Sequence, residues 1–325
     1  LKYFLLGAFA SAILLYGMAL LYGVAGGTSY SAIRAAATAE SPLALMGLGL
    51  VVVGLAFRLG VVPFHQRAPD VYEGSPSVVA AFISVGATVA SLAALLRVLV
   101  QAFAPFGDVL LGLLWWLALL TLVVGSLMTL IQENVKRLLA YGSIAQMGFI
   151  LIGVVAGGPQ GHAAVIFSLL CYAFTTLGAF AVVVSLAHRG EDCEQLSNFA
   201  GLARSRPGLA AVMALFTFSL AGIPATAGFM AKWRLASAAI AAGEMPLLVL
   251  GALTSVVVAY SFLRIPVLMY MREPEAEPPR PQSTTPELFA LAFCAAAVLT
   301  LGLVPDSIFP TLEWAERSAA ALYIQ

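Results

Sequence analysis

The chain of 325 residues is 61% hydrophobic and only 10% charged, with 16 Lys+Arg against 16 Asp+Glu and a mean hydropathy of +0.98. Soluble domains carry about 25% charged residues, so the soluble classes are excluded, and a balanced charge offers nothing to recruit nucleic acid. The composition is that of an all-α, polytopic helical membrane protein surrounded by a lipid bilayer.

A helix needs about 20 apolar residues to cross a bilayer. About nine such runs follow one another, over 3–26, 43–64, 76–100, 108–131, 140–157, 162–187, 208–240, 246–271 and 286–304. Together they are expected to form one membrane domain over 1–325. The chain opens on Leu1 and enters its first run at once, so a longer protein with a preceding N-terminal part is expected.

The second run carries Arg58. A cation deep in an apolar run is a functional hypothesis by default. Arginine stays protonated in proteins, so it supplies a fixed field and is a poor proton carrier. Next come Val62-Pro63-Phe64-His65 and Pro69-Asp70-Val71-Tyr72-Glu73-Gly74-Ser75-Pro76. A discontinuity is predicted near Pro63. His65, at that helix end, suits either a structural hydrogen bond or proton transfer. Asp70 and Glu73 are expected to cap or pin the re-entry into the third run.

A polar corner, Gln132-Glu133-Asn134-Val135-Lys136-Arg137, precedes the fifth run. Its cations read as anchors on the cytoplasmic side. Most loop Lys and Arg fall in the links at 65–75, 132–139, 188–207 and 272–285, which places those links and the N-terminus inside. Arg97, Arg234 and Arg264 lie closer to span ends, where long basic side chains reach the interface.

The seventh run is too long for one straight crossing and contains Gly222-Ile223-Pro224. Proline removes a backbone donor and clashes with the preceding turn, so a broken helix is predicted near Pro224. Interrupted helices at membrane depth line a cavity, a polar axis or a protein interface. Lys232 follows that break. A desolvated lysine gives up its proton far more readily than an arginine, which suits a proton relay; the alternative is a structural ion pair. Glu273 to Thr285, rich in Pro and Glu, reads as a solvated linker, and the stretch after Asp306 as an interfacial helix or tail.

Cys171, Cys193 and Cys294 have no CxxC spacing, which argues against a disulfide framework or a cysteine metal site. His65, His162 and His188 are far apart in sequence, against a haem or zinc centre. Glycine-rich phosphate loops and flavin fingerprints are missing. Any redox activity therefore has to belong to an assembly.

Several stretches carry a resemblance in chain order: Leu1-Lys2-Tyr3-Phe4-Leu5-Leu6-Gly7-Ala8, Val62-Pro63-Phe64-His65, Pro69 to Pro76, Asn134-Val135-Lys136-Arg137-Leu138-Leu139-Ala140-Tyr141-Gly142-Ser143-Ile144-Ala145, and Ser219-Leu220-Ala221-Gly222-Ile223-Pro224 with Gly228-Phe229 and Lys232. Together they resemble subunit N of respiratory complex I, the antiporter-like membrane subunit of proton-translocating NADH:quinone oxidoreductase. The resemblance implies paired inverted half-channels with broken helices, of which this chain would hold roughly the last nine spans. It also implies that an early glutamate of the family falls before Leu1. Arg58 and Thr88 stand where the family has lysines, and Gln146 where it often has histidine, while the Lys232 position is kept. The first half-channel is therefore expected to be impaired, with Arg58 able to polarise water and Thr88 to hydrogen-bond it. The implied proton pathway comprises Lys232, Arg58, His65, Thr88 and Lys136, with Lys232 the main titrating group. The implied partners are other membrane-arm subunits, in a bacterial plasma membrane. No cofactor is expected in this chain; NADH, flavin, iron–sulfur clusters and quinone would belong to other subunits. The competing readings are a structural membrane-arm subunit that no longer pumps, and a component of a cation/proton antiporter.

Overall fold

A computed structural model describes residues 1–36, 41–186, 194–273, 285–305 and 310–323. His188, Cys193, most of the acidic, proline-rich linker and Asp306 lie outside the described residues. In chain order the helices are α1 (Lys2–Ala25), α2 (Tyr30–Ala36), α3 (Pro42–Leu59), α4 (Arg67–Gly74), α5 (Ser77–Phe82), α6 (Thr88–Gln101), α7 (Gly107–Leu130), α8 (Val135–Ala156), α9 (Gly158–Leu186), α10 (Leu202–Ser205), α11 (Pro207–Ala221), α12 (Ala227–Ala242), α13 (Met245–Met271), α14 (Thr285–Leu303) and α15 (Thr311–Ala321). Among the described residues the only β-type pairing is one bridge between Asn134 and Gln195.

Among the described residues eight helical stretches are long and apolar enough to cross a bilayer. A further apolar stretch is split into α11 and α12, the break expected at Pro224. The chain is a multi-pass integral membrane protein. The apolar stretch of α8 is 100% buried inside the protein and that of α1 only 17%, so α8 is the axis of the bundle and α1 its rim. Glycines let α7 lie directly on α8: a Cβ added to Gly125 would come within 2.8 Å of the Ala145 amide nitrogen. Small residues at such seams replace the hydrophobic drive that lipid removes.

Two local expectations change. The fifth run was expected to start at 140, yet α8 starts at Val135. Asn134 caps it, its side-chain oxygen accepting from the Arg137 amide at 3.1 Å, and the charge of Lys136 is balanced inside the protein. The segment after Pro63 is not a simple link. A left-handed cap at Gly60 ends α3, Phe64–Gln66 forms a 3-10 turn, and α4 follows at once. Pro69 is tolerated there because the first turn of a helix needs no donor at that position. α5 and α6 form one rod interrupted by a π-helical turn, Ile83–Ala87.

Candidate proton site at the broken helix

The break between α11 and α12 is built from residues that leave no other packing. Gly222 ends α11 at φ 84°, and Ala225 is also left-handed, at φ 71°. An L side chain at Gly222 would be strained and would come within 2.9 Å of Lys232 Nζ. Gly228 opens the first turn of α12 so close to α11 that a Cβ there would lie 1.8 Å from the Ser219 carbonyl oxygen. Its amide donates to Ser219 Oγ at 3.0 Å, and Ser219 Oγ in turn pairs with Thr175 Oγ1 of α9 at 3.0 Å.

Lys232 lies one turn after Gly228, on the same face of α12. Its Nζ donates to the Ala221 carbonyl at 3.1 Å and to Ser255 Oγ of α13 at 2.7 Å, and stands 4.9 Å from the centre of the Phe149 ring. The side chain is half-buried. These contacts are all neutral, and no ion pair of Lys232 occurs among the described residues. The arrangement holds an ammonium by dipoles and a ring face, without a carboxylate that would lock its charge.

Lys136 overturns its sequence reading. It is not a solvated anchor but is fully buried, with its ammonium paired to Glu194 and donating to the Ser75 carbonyl at 2.9 Å. Asn134 Nδ2 donates to the other Glu194 oxygen at 2.9 Å. A short bridge joins the same segments: Val135 N donates to Glu194 O at 2.7 Å and Leu196 N to Glu133 O at 2.8 Å. Burial is affordable only because the pair and its hydrogen bonds are complete.

Arg58 is likewise corrected. It is exposed, in the last turn of α3, because Gly60 ends the helix two residues later. There its charge complements the helix C-terminus. Arg58 donates to Ser11 Oγ at 3.3 Å across a groove of about 320 Å³ between α1 and α3. Arg67 lies in the same groove, 5.6 Å from the Tyr3 ring centre and 5.8 Å from that of Phe57. Thr88 is buried at the end of the π-helical turn; such turns recur at functional sites. Arg58 and Thr88 line one cavity. With Arg67, Tyr72 and Ile83 they bound a cavity of about 20 Å³, room for one water.

His65 is half-buried, and its Nδ1 has no hydrogen-bond partner among the described residues. Of the two expected roles, Asp70 and Glu73 take the pinning one, tying helices together. Arg137 donates to Asp70 at 3.1 Å and to Glu73 at 2.6 Å, and Lys2 also pairs with Asp70. Arg264 donates to the Leu130 carbonyl at 2.9 Å, satisfying an orphan group at the end of α7.

The five sequence candidates therefore fall into four places: Lys232 at the break, Arg58 and Thr88 around the small cavity, Lys136 at the start of α8, and His65 after Pro63. Sequence reasoning missed Glu194, Tyr72, Tyr172, Thr175 and Ser219. The available signal was hydroxyl residues spaced one helical turn apart in apolar runs, such as Tyr172 and Thr176. Among the described residues no cluster of His, Cys, Asp and Glu is arranged to hold a metal ion.

Residues 1–258 match the family described as NADH:quinone oxidoreductase/Mrp antiporter, transmembrane. The chain is 42% identical over 320 residues to NADH-quinone oxidoreductase subunit N of Chloroflexus aggregans, covering 96% of this chain and 65% of that protein. It is 40% identical over 331 residues to subunit N of Mycobacterium tuberculosis, covering 99% of this chain and 61% of that one. The chain thus spans less than two thirds of the length of these relatives. Among solved structures it is similar to a chain of respiratory complex I from Thermus thermophilus with bound aureothin, at 38% identity and a TM-score of 0.82, covering 96% of this chain and 68% of that one. It is also similar to a chain of the Mrp complex from Dietzia sp. DQ12-45-1b, at 26% identity and a TM-score of 0.89, covering 99% of this chain and 67% of that one. The chain belongs to the NADH:quinone oxidoreductase/Mrp antiporter transmembrane family, alongside its subunit N relatives.

Proposed function

We propose that this chain moves protons across the bacterial plasma membrane as a membrane-arm subunit of an NADH:quinone oxidoreductase. It holds no redox centre of its own. NADH, flavin, iron–sulfur clusters and quinone are handled by other subunits, and the chain is driven through its contacts with neighbouring membrane-arm subunits. The observation that carries this reading is Lys232: a half-buried lysine on a broken helix, held by Ala221, Ser255 and Phe149. Such a group can load and release a proton without dissolving an ion pair. Arg58 and Thr88, at the separate small cavity, act as a fixed charge and a water ligand, and His65 and Lys136 as polar groups toward the basic face.

A structural subunit that no longer pumps is the second reading, favoured by the exposure of Arg58 and the neutral Thr88. An antiporter component is favoured by the Mrp fold match, but identity of 40–42% to subunit N relatives outweighs 26% to that chain. NADH-driven proton uptake by vesicles carrying the full-length protein separates the first two. Lys232→Ala lowers proton uptake with assembly intact if the chain pumps. If Lys232→Ala changes nothing while Arg58→Lys with Thr88→Lys raises the yield, the chain is structural.

A further inference from the structure

Arg234 lies near a span end, and the proposed proton path makes no use of it. It sits in α12, toward the end of that helix at Ala242. α9 starts at the same end of the bundle, at Gly158, and runs to Leu186, where a basic link begins. Arg234 therefore lies opposite the basic links, on the outer side by the charge rule. There α15 packs on α9, with Ala315 and Ala319 buried. Helices α9, α12 and α15 bound a cavity of about 580 Å³, whose wall includes Gln160, Phe167, Trp233, Arg234, Ser237 and Glu316.

Arg234 and Glu316 are the two charged residues of that wall, and their pairing is loose. Arg234 Nη1 stands 3.9 Å from Glu316 Oε1, beyond hydrogen-bond reach, and the side chains are 36% and 62% exposed. So open a pair contributes little to stability, and both groups keep their hydrogen-bonding capacity for a ligand. The wall sums to zero charge. A lone phosphate would meet the Glu316 carboxylate as a like charge, and a lone amine would meet Arg234. A ligand carrying both charges a short link apart satisfies each. The guanidinium fork matches phosphate oxygens. A primary ammonium donates hydrogen bonds to a carboxylate, which a quaternary ammonium has no N–H to do.

The surroundings point to a lipid-borne headgroup. Trp233 is 60% exposed beside the cavity, with its ring stacked on Phe229 at 6.4 Å. Exposed tryptophans near the ends of membrane helices sit at headgroup level. On α15, Trp314 is 51% exposed next to Glu313, Glu316 and Arg317, the pattern of a helix lying in the interface. We infer that this cavity holds the headgroup of an outer-leaflet phospholipid with a primary amine, of the phosphatidylethanolamine type, its phosphate on Arg234 and its ammonium on Glu316. The lipid ties α12 to α15 at the outer end of the bundle. The site is separate from the contacts of Lys232 with Ala221 and Ser255, and it stands whether or not the chain pumps.

A water-soluble carbodiimide tests it, because it joins a carboxylate to a primary amine in contact with it, forming an amide as the reagent takes up the water lost. The assembled complex with the full-length protein is depleted of lipid in detergent, mixed with dioctanoyl phosphatidylethanolamine, treated with the carbodiimide and digested, and the peptide bearing Glu316 is weighed. The expected result is the lipid adduct on Glu316, with Glu313, one turn earlier and paired with Arg317, unlabelled. Arg234→Ala removes the charge-assisted bonds to phosphate and lowers the adduct about tenfold, while free ethanolamine still labels Glu316. Ser237→Leu keeps both charges but fills the cavity; it lowers the adduct too, and decides if Arg234→Ala prevents assembly. Equal lipid labelling in the parent and the variants, or of Glu313 and Glu316, overturns the inference. Labelling by free phosphoethanolamine as efficient as by the lipid overturns the lipid as the source. If free ethanolamine cannot reach Glu316 in the assembled complex, a neighbouring protein chain covers the cavity, and the inference falls.

Discussion

Gly228→Ala is the sharpest perturbation of the break. The added methyl would lie 1.8 Å from the Ser219 carbonyl oxygen and 2.7 Å from its carbon. Non-bonded carbon contacts settle near 3.5–4.0 Å, so α11 and α12 must part by roughly 1.5 Å or more. Both obstacles are backbone atoms, and no side-chain rotation relieves them. Overpacking of this kind costs about 1–3 kcal/mol. Parting the helices also breaks the bond from the Gly228 amide to Ser219 Oγ, now 3.0 Å, and an amide left without its partner costs about 1–3 kcal/mol more. The expected destabilisation is therefore about 2–6 kcal/mol. Lys232, one turn on, is drawn away from Ser255, so proton uptake per NADH falls as well. Gly243→Ala is the control: it forces an alanine into φ 80° but meets no atom within 4 Å, and costs only the left-handed strain of about 1–2 kcal/mol. Thermal unfolding of the full-length protein in detergent, paired with vesicle proton uptake, reads both effects. A Gly228→Ala protein as stable and as active as the Gly243→Ala control would refute the close-contact reasoning.

Three further outcomes follow from named contacts. Lys136→Met leaves Glu194 without its cation and is expected to destabilise the protein by about 3–5 kcal/mol, whereas Lys136→Met with Glu194→Gln recovers much of that loss; unfolding of both variants in detergent tests the coupling. Lys2→Ala removes a pair with Asp70 whose lysine is 69% exposed, so its stability change stays under about 1 kcal/mol. Tyr323→Phe breaks the 2.9 Å bond to His162 Nδ1, for a loss of about 0.5–1.5 kcal/mol. Hydrogen exchange should then rise in α15 and not in α8.

The bundle was legible in the chain because lipid imposes a simple rule: each crossing must be long, apolar and helical. The break at Pro224 was legible because its run is too long for one crossing and carries Gly222 and Pro224 near its middle, whereas Pro266 is kept inside the continuous α13. What stayed hidden depends on distant partners. Lys136 reads as a surface anchor until Glu194, 58 residues away, is found beside it; nothing in local periodicity carries that pairing. Arg58 reads as deep because its run is apolar up to Val62, but the left-handed Gly60 ends α3 early and turns the side chain to a surface groove. The π-helical turn before Thr88 leaves no compositional mark. Lys232 was chosen as a titrating candidate from its position after the break. Its neutral setting rests on Ser255, which reaches it from another helix, and on Gly222, whose missing side chain leaves the space that the ammonium fills.

If Lys232 works by loading and releasing a proton, its charge must be able to vary. Arginine keeps the positive charge but does not release its proton in proteins. The decisive comparison is proton uptake per NADH for Lys232→Arg against the parent, in vesicles with the assembled full-length protein. The account expects the ratio to fall as far as it does for Lys232→Ala. A Lys232→Arg protein with the full parental ratio would mean that a fixed charge suffices, and would contradict the assignment of Lys232 as a proton carrier.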